Sequence, residues 1–208
     1  MIPHPLRQAL CALAVLAAFE APAAPAATAT AAAAAAEAAP DVHLPLRLEE
    51  GLWDADVTFY EDGKPSGQAK GVQVNTMLAN GHWIVNDFRI PASGKFPPYQ
   101  GHGVWGYDPV AKTYVNTWVD TNDRTVRTDY GFWHAPQQTM AWSSKQSDGE
   151  GHFVDYRMTE EFKGDTRIFT VHQLAMVSAR PILLLRIVFT KQPAAAASGA
   201  ADQRPSSK

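Results

Sequence analysis

The feature that most limits what this chain can fold into is a series of short stretches rich in β-branched and aromatic residues, recurring about every ten residues between positions 52 and 190. Gly, Pro, Asp and Asn separate them, and helical periodicity is hard to find. The predicted strands are Leu52–Tyr60, Gln68–Leu78, His82–Ile90, Gly103–Tyr107, Tyr114–Asp120, Thr125–His134, Thr139–Lys145, His152–Phe162, Arg167–Leu174 and Ile182–Thr190. Connections this short imply antiparallel pairing between neighbours. Glu61-Asp62-Gly63-Lys64 and Asn80-Gly81 favour positive φ, and Asp108-Pro109 opens a hairpin loop by fixing φ at its second position. An open sheet of this size would leave hydrophobic edges such as Ile182–Phe189 free to pair with other chains, and closure removes them. The expected fold is all-β, an up-and-down antiparallel β-barrel of about ten strands, with a two-sheet sandwich as the alternative.

The two ends of the chain do not contribute to that core. Hydrophobic content is 46%, but much of it is alanine in the first forty residues, where 21–40 is nearly all Ala, Pro and Thr. Arg7 followed by the apolar run Ala9–Phe19 and then small residues reads as a secretory signal. That run is too short to span a bilayer. An uncleaved anchor is the alternative, and Cys11 lies too early in the run to accept a lipid. Residues 1–26 are therefore expected to be a signal peptide, 27–46 an Ala/Pro-rich disordered linker, 47–191 the barrel domain and 192–208 a disordered tail. The expected location is periplasmic or secreted, without stable membrane insertion after cleavage. The only cysteine would leave with the signal, so the mature domain carries no disulfide. Net charge is −3 with no basic patch, which excludes nucleic acid as an expected partner.

Alternation separates the faces of the strands. In the first, Trp53, Ala55, Val57 and Phe59 oppose Asp54, Asp56 and Thr58, an apolar-in pattern. The fifth sets Tyr114, Asn116, Trp118 and Asp120 against Val115, Thr117 and Val119, which leaves its inner face open. Large aromatics interrupted by Asn and Asp suit the wall of a partly polar ligand cavity. Tyr114, Asn116, Trp118 and Asp120, with Trp105 and His102 nearby, are the predicted ligand-binding residues.

Several motifs carry a family resemblance. Gly101-His102-Gly103-Val104-Trp105-Gly106-Tyr107-Asp108, then Tyr114-Val115-Asn116-Thr117-Trp118-Val119-Asp120, resemble the G-x-G-x-x-G-Y-D and Y-x-x-x-W-x-D pattern of the bacterial domain of unknown function 1579. Gly51-Leu52-Trp53 and Asn80-Gly81-His82-Trp83 match less closely. The resemblance covers most of the predicted domain and implies a calycin/lipocalin-like barrel; the family has no established activity. Its members usually end their last strand in Tyr-Thr-Arg, where this chain has Phe189-Thr190-Lys191, keeping the charge without the planar guanidinium. By analogy with lipocalin-like barrels, Trp53 is expected to close one end beneath Lys191, or beneath Arg186, as a structural plug contributing about 0.5–1 kcal/mol if partly exposed.

Other constellations carry less chemistry. Gly101, Gly103 and Gly106 spell G-x-G-x-x-G, but Asp108-Pro109 turns into another strand, not into the helix that a dinucleotide fingerprint needs. The glycines are expected to permit a bend or a close approach. Six histidines (His43, His82, His102, His134, His152 and His172) lie beyond the signal without metal-ligand spacing, so no metal or other cofactor is expected. His172 is the candidate in the alternative of a haem-binding, nitrobindin-like barrel. Asp87, Asp120, Asp129 and Asp155 lie within strands; Asp120 beside Trp118 has the setting of a general acid or, alternatively, of a strand-end residue bonding its own loop. No serine elbow is present, and no thiol remains beyond the signal. The leading expectation is a barrel holding a small apolar or amphipathic molecule; the alternative is a small-molecule enzyme using a cavity carboxylate or histidine.

Overall fold

The computed structural model describes residues 40–94, 96–147, 152–174 and 180–193. The expected signal peptide, the first part of the linker and nearly all of the expected tail lie outside the described residues.

Each predicted stretch forms a strand. These are β1 (Gly51–Glu61), β2 (Lys64–Met77), β3 (Trp83–Ile90), β4 (Tyr99–Asp108), β5 (Thr113–Asp120), β6 (Arg127–His134), β7 (Thr139–Ser147), β8 (Phe153–Lys163), β9 (Thr166–Leu174) and β10 (Ile182–Lys191). Each pairs antiparallel with its neighbours in sequence, and β1 pairs β10 from Trp53↔Lys191 to Phe59↔Leu185, so the sheet closes into a ten-stranded barrel and the sandwich is excluded. The β1–β2 turn places Asp62 at φ 49° and Gly63 at φ 73°, the positive pair that a two-residue hairpin requires. After β4, Asp108 Oδ1 accepts the amides of Val110 and Ala111, which holds the loop opened by Pro109.

One element was absent from the sequence reading. A helix, α1 (Leu44–Glu49), precedes β1 and begins before the expected barrel boundary at residue 47. Six residues complete fewer than two turns, so no 3.6-residue period can show in the sequence. Leu46 is completely buried against Ile84, Trp105, Tyr114, Met140, Trp142 and Met158. Trp53 Nε1 and Asn75 Nδ2 both donate to Glu49 O, at 2.8 and 3.0 Å, so the last turn of α1 is tied to β1 and β2. Tyr114 Oη donates to Val42 O at 2.8 Å and fixes the approach to the helix. With these contacts α1 stoppers one end of the barrel.

Tryptophans lie against glycines across the sheet. Gly103 pairs with Trp118, Gly106 with Trp83 and Gly131 with Trp142. A Cβ on Gly103 would stand 2.6 Å from Trp118 Cε3, and one on Gly101 would also overlap the same indole. The close approach allowed at Gly101 and Gly103 is therefore that of an aromatic ring, which covers backbone that a side chain would otherwise shield.

Gly103→Ala is expected to lower stability by about 1–3 kcal/mol, the usual cost of overpacking. Urea unfolding of G103A, W118A and the double variant tests the cause: the cost of the added methyl should largely vanish once the indole is gone, and equal costs in both backgrounds would contradict it.

Candidate functional site

The barrel encloses a cavity of about 600 Å³. Its wall is mainly apolar, with Phe59, Phe88, Ile90, Phe169, Leu185 and Ile187 among the lining side chains. Three polar groups interrupt it: one beside α1, one on the β5–β6 wall and one at the end of β5.

The group beside α1 is built around Arg167. Its Nη1 donates to Glu49 Oε1 at 2.7 Å and to Glu160 Oε1 at 2.6 Å, and its Nη2 donates to Gln73 Oε1 at 2.5 Å. Asn86 Nδ2 donates to Glu49 Oε1 at 2.7 Å and to Asn75 Oδ1 at 2.6 Å. The Arg167 guanidinium also lies 4.0 Å from the Phe189 ring centroid and 5.0 Å from that of Trp53. All of these polar residues are buried. One arginine cannot offset two carboxylates, and the carboxyl of Glu49 responds: burial, then the neighbouring Glu160 charge, push it up to about 8. Near neutral pH it holds a proton, which leaves Arg167 and Glu160 as a balanced ion pair.

On the β5–β6 wall, Asn116 and Asp129 are cross-strand partners, and Asn116 Nδ2 donates to Asp129 Oδ2 at 2.7 Å. Arg127 Nε donates to the same oxygen at 3.1 Å and lies 3.0 Å from Oδ1, while its guanidinium stands 5.7 Å from the Trp118 ring centroid. Asp129 is only 1% exposed.

At the end of β5, Asp120 Oδ2 accepts from Tyr99 Oη at 3.2 Å and Trp118 Nε1 at 3.1 Å, and Oδ1 accepts the amides of Asn122 and Asp123 at 2.8 and 3.0 Å. Both oxygens are thus committed to holding the loop after β5 and the ring of Trp118. Burial and the Asp120 charge hold the Tyr99 hydroxyl far above its ordinary range, so it stays protonated as a donor. These bonds describe a structural acceptor better than a proton-transferring acid.

Asn116, Trp118, Asp120 and Trp105 all line the cavity, so the inner face of β5 is the mixed one. Two expected wall residues lie elsewhere. His102 is three residues from Trp105 and therefore on the opposite face of β4, where Nδ1 lies 2.9 Å from Asp87 Oδ1 on the exterior. Tyr114 shares the inner face but lies beyond the cavity, packed edge-on against Trp105 and Tyr107 beside α1. Trp53 is fully buried with Lys191 Nζ 5.1 Å from its ring centroid, while Arg186 faces Thr58 and Thr170 away from it. His172 is paired with Arg157 and Leu183 and alternates with cavity-lining Val171, so it faces outward. No histidine among the described residues lines the cavity, so the alternative of a haem held through His172 does not fit this interior.

Arg167, Glu49, Gln73 and Glu160 are not among the residues expected from the sequence, and Asp129 is expected there only as a strand carboxylate. Alternation held a signal for two of them. Glu160 falls between Met158 and Phe162 on the inner face of β8, and Arg167 precedes Phe169 and Val171 on the inner face of β9. A charge at an inward position needs a buried partner. Glu49 gave no such signal, because α1 itself was not visible.

A family model described as "Protein of unknown function (DUF1579)" matches residues 39–191. This chain belongs to that family. Among solved structures, the DUF1579 chain is similar to the crystal structure of Rv2717c from M. tuberculosis, with 11% identity over 74% of this chain and 99% of that one, at a TM-score of 0.55. That likeness establishes a shared fold. No curated protein matches the chain.

Glu49 gives the DUF1579 barrel a testable pH dependence. Its pKa is raised on folding, so between about 4.5 and 8 the native state holds a proton that the unfolded state has released. This contribution makes stability fall as pH rises through that window and level off above it. Urea midpoints measured from pH 5 to 9 should show the decline, and Glu49→Gln should remove that component; the same decline in E49Q would contradict the assignment.

Proposed function

We propose that this protein is an exported binding barrel that carries a small apolar or amphipathic molecule in its interior. The observation that carries this reading is the cavity of about 600 Å³, with a mainly aromatic and aliphatic wall broken by a few fixed polar groups. A volume of that size falls within the range of small-molecule sites, where apolar wall supplies affinity and a few polar groups orient the ligand. Its blind end is stoppered by α1, so a ligand would enter from the opposite side, past Phe96, Pro97 and Tyr99. Phe96 stacks on Phe59 at 5.2 Å and extends the apolar surface toward that entrance. The export half of the proposal rests on the basic and apolar N-terminal segment of the sequence.

The uncharged fluorophore N-phenyl-1-naphthylamine tests the binding half. It should gain fluorescence on titration into the protein and quench Trp118 by energy transfer. Ala69 lines the cavity from β2, and Ala69→Phe is expected to weaken the probe at least tenfold while near-UV circular dichroism stays native. Unchanged probe affinity in folded A69F would place the probe outside the barrel and contradict the reading.

A further inference from the structure

The charges facing the cavity are unequal. Two arginines, Arg127 and Arg167, meet four carboxyl groups, those of Glu49, Asp120, Asp129 and Glu160. With all four ionised the wall carries two net negative charges, and with Glu49 protonated it carries one. The sign is therefore the same on either side of that titration.

Acceptors are also left over on this wall, at Glu49 Oε2 in the group beside α1 and at Asp129 on the β5–β6 side. Asp129 is 1% exposed and lines the cavity; its Oδ1 is in ion-pair contact with Arg127 Nε at 3.0 Å but accepts no hydrogen bond, the one from Nε going to Oδ2. Ser144 stands directly across the sheet from Asp129, is buried, and its Oγ also lacks a hydrogen-bond partner. Two buried oxygens on adjacent strands thus lack a donor, which is costly unless something supplies one. A carboxylate would have to use Arg127 or Arg167. Arg167 Nε has no hydrogen-bond partner, but its guanidinium already faces the carboxyl groups of Glu49 and Glu160, and Arg127 is paired with Asp129 and lies by the indole of Trp118.

Resting on the binding role proposed above, we infer that the ligand is an amphipathic amine, seated with its N–H donors at Asp129 Oδ1 and its apolar chain along the aromatic wall. An ammonium satisfies the free acceptor and offsets the net negative charge. A carboxylate brings a like charge against this wall and leaves the acceptor unmet. An alcohol supplies a donor without the charge and falls between the two.

Decylamine, decanol and decanoate share one chain length and differ at the head, so their competition with N-phenyl-1-naphthylamine on the unaltered protein isolates the headgroup. Titrations below the micellar range at pH 7 should give decylamine at least tenfold tighter than decanoate, with decanol between. Asp129→Asn should erase most of the amine preference while the affinity for decanol is kept. A ratio below tenfold between decylamine and decanoate on the unaltered protein overturns the inference even if D129N does not fold. If the probe binds and decanoate competes as well as decylamine, only the headgroup assignment fails. If neither the probe nor any of the three binds, the binding role fails with it.

Discussion

Among the described residues, one buried cation ties the stoppered end of the barrel together. Arg167 reaches from β9 to Glu49 of α1, to Glu160 of β8 and to Gln73 of β2, so three strands and the helix meet at one guanidinium. Without it, Glu49 and Glu160 would face each other while buried, and removing one partner of a buried ion pair usually costs about 3–5 kcal/mol. A hydrophobic isostere set could be as stable. What the ionic arrangement supplies is direction: Glu49 accepts from Arg167 and Asn86 at fixed angles, and its backbone carbonyl accepts from Trp53 and Asn75. The stopper therefore has one seating, and the interior has one closed end.

From that closed end the rest of the cavity follows. Apolar side chains of β1, β3, β9 and β10 form one side, while β4, β5 and β6 present a mixed face on which Trp118 lies along the backbone of Gly101 and Gly103. The indole is held at its edge by Asp120 and approached by Arg127, so it is fixed by neighbours on three sides. A large aromatic held by such contacts and partly uncovered provides contact area with little rotamer entropy left to lose. The same bonds that fix it occupy both carboxylate oxygens of Asp120, which also hold the loop after β5.

The sheet was legible because a strand writes its pattern locally. β1 reads apolar-in over Trp53, Ala55, Val57 and Phe59, and Asp62-Gly63 prescribes the turn that follows, so both emerge from a few adjacent residues. The mixed face of β5 was legible for the same reason. The site residues that escaped depend on partners distant in sequence: Glu49 and Arg167 are 118 residues apart, and nothing near either announces the other. His102 shows the opposite failure, since its nearness to Trp105 suggested a shared site that a three-residue step along a strand forbids. Parity within the strand carried more information than proximity in the sequence.

Native mass spectrometry of the purified protein tests most directly whether the interior holds a small molecule. The native spectrum should carry an added mass, either as isolated or after incubation with a lipid extract, and denaturing the same sample should release it. A native mass equal to the denatured mass under both conditions would contradict the account and point to a barrel that acts through its outer surface.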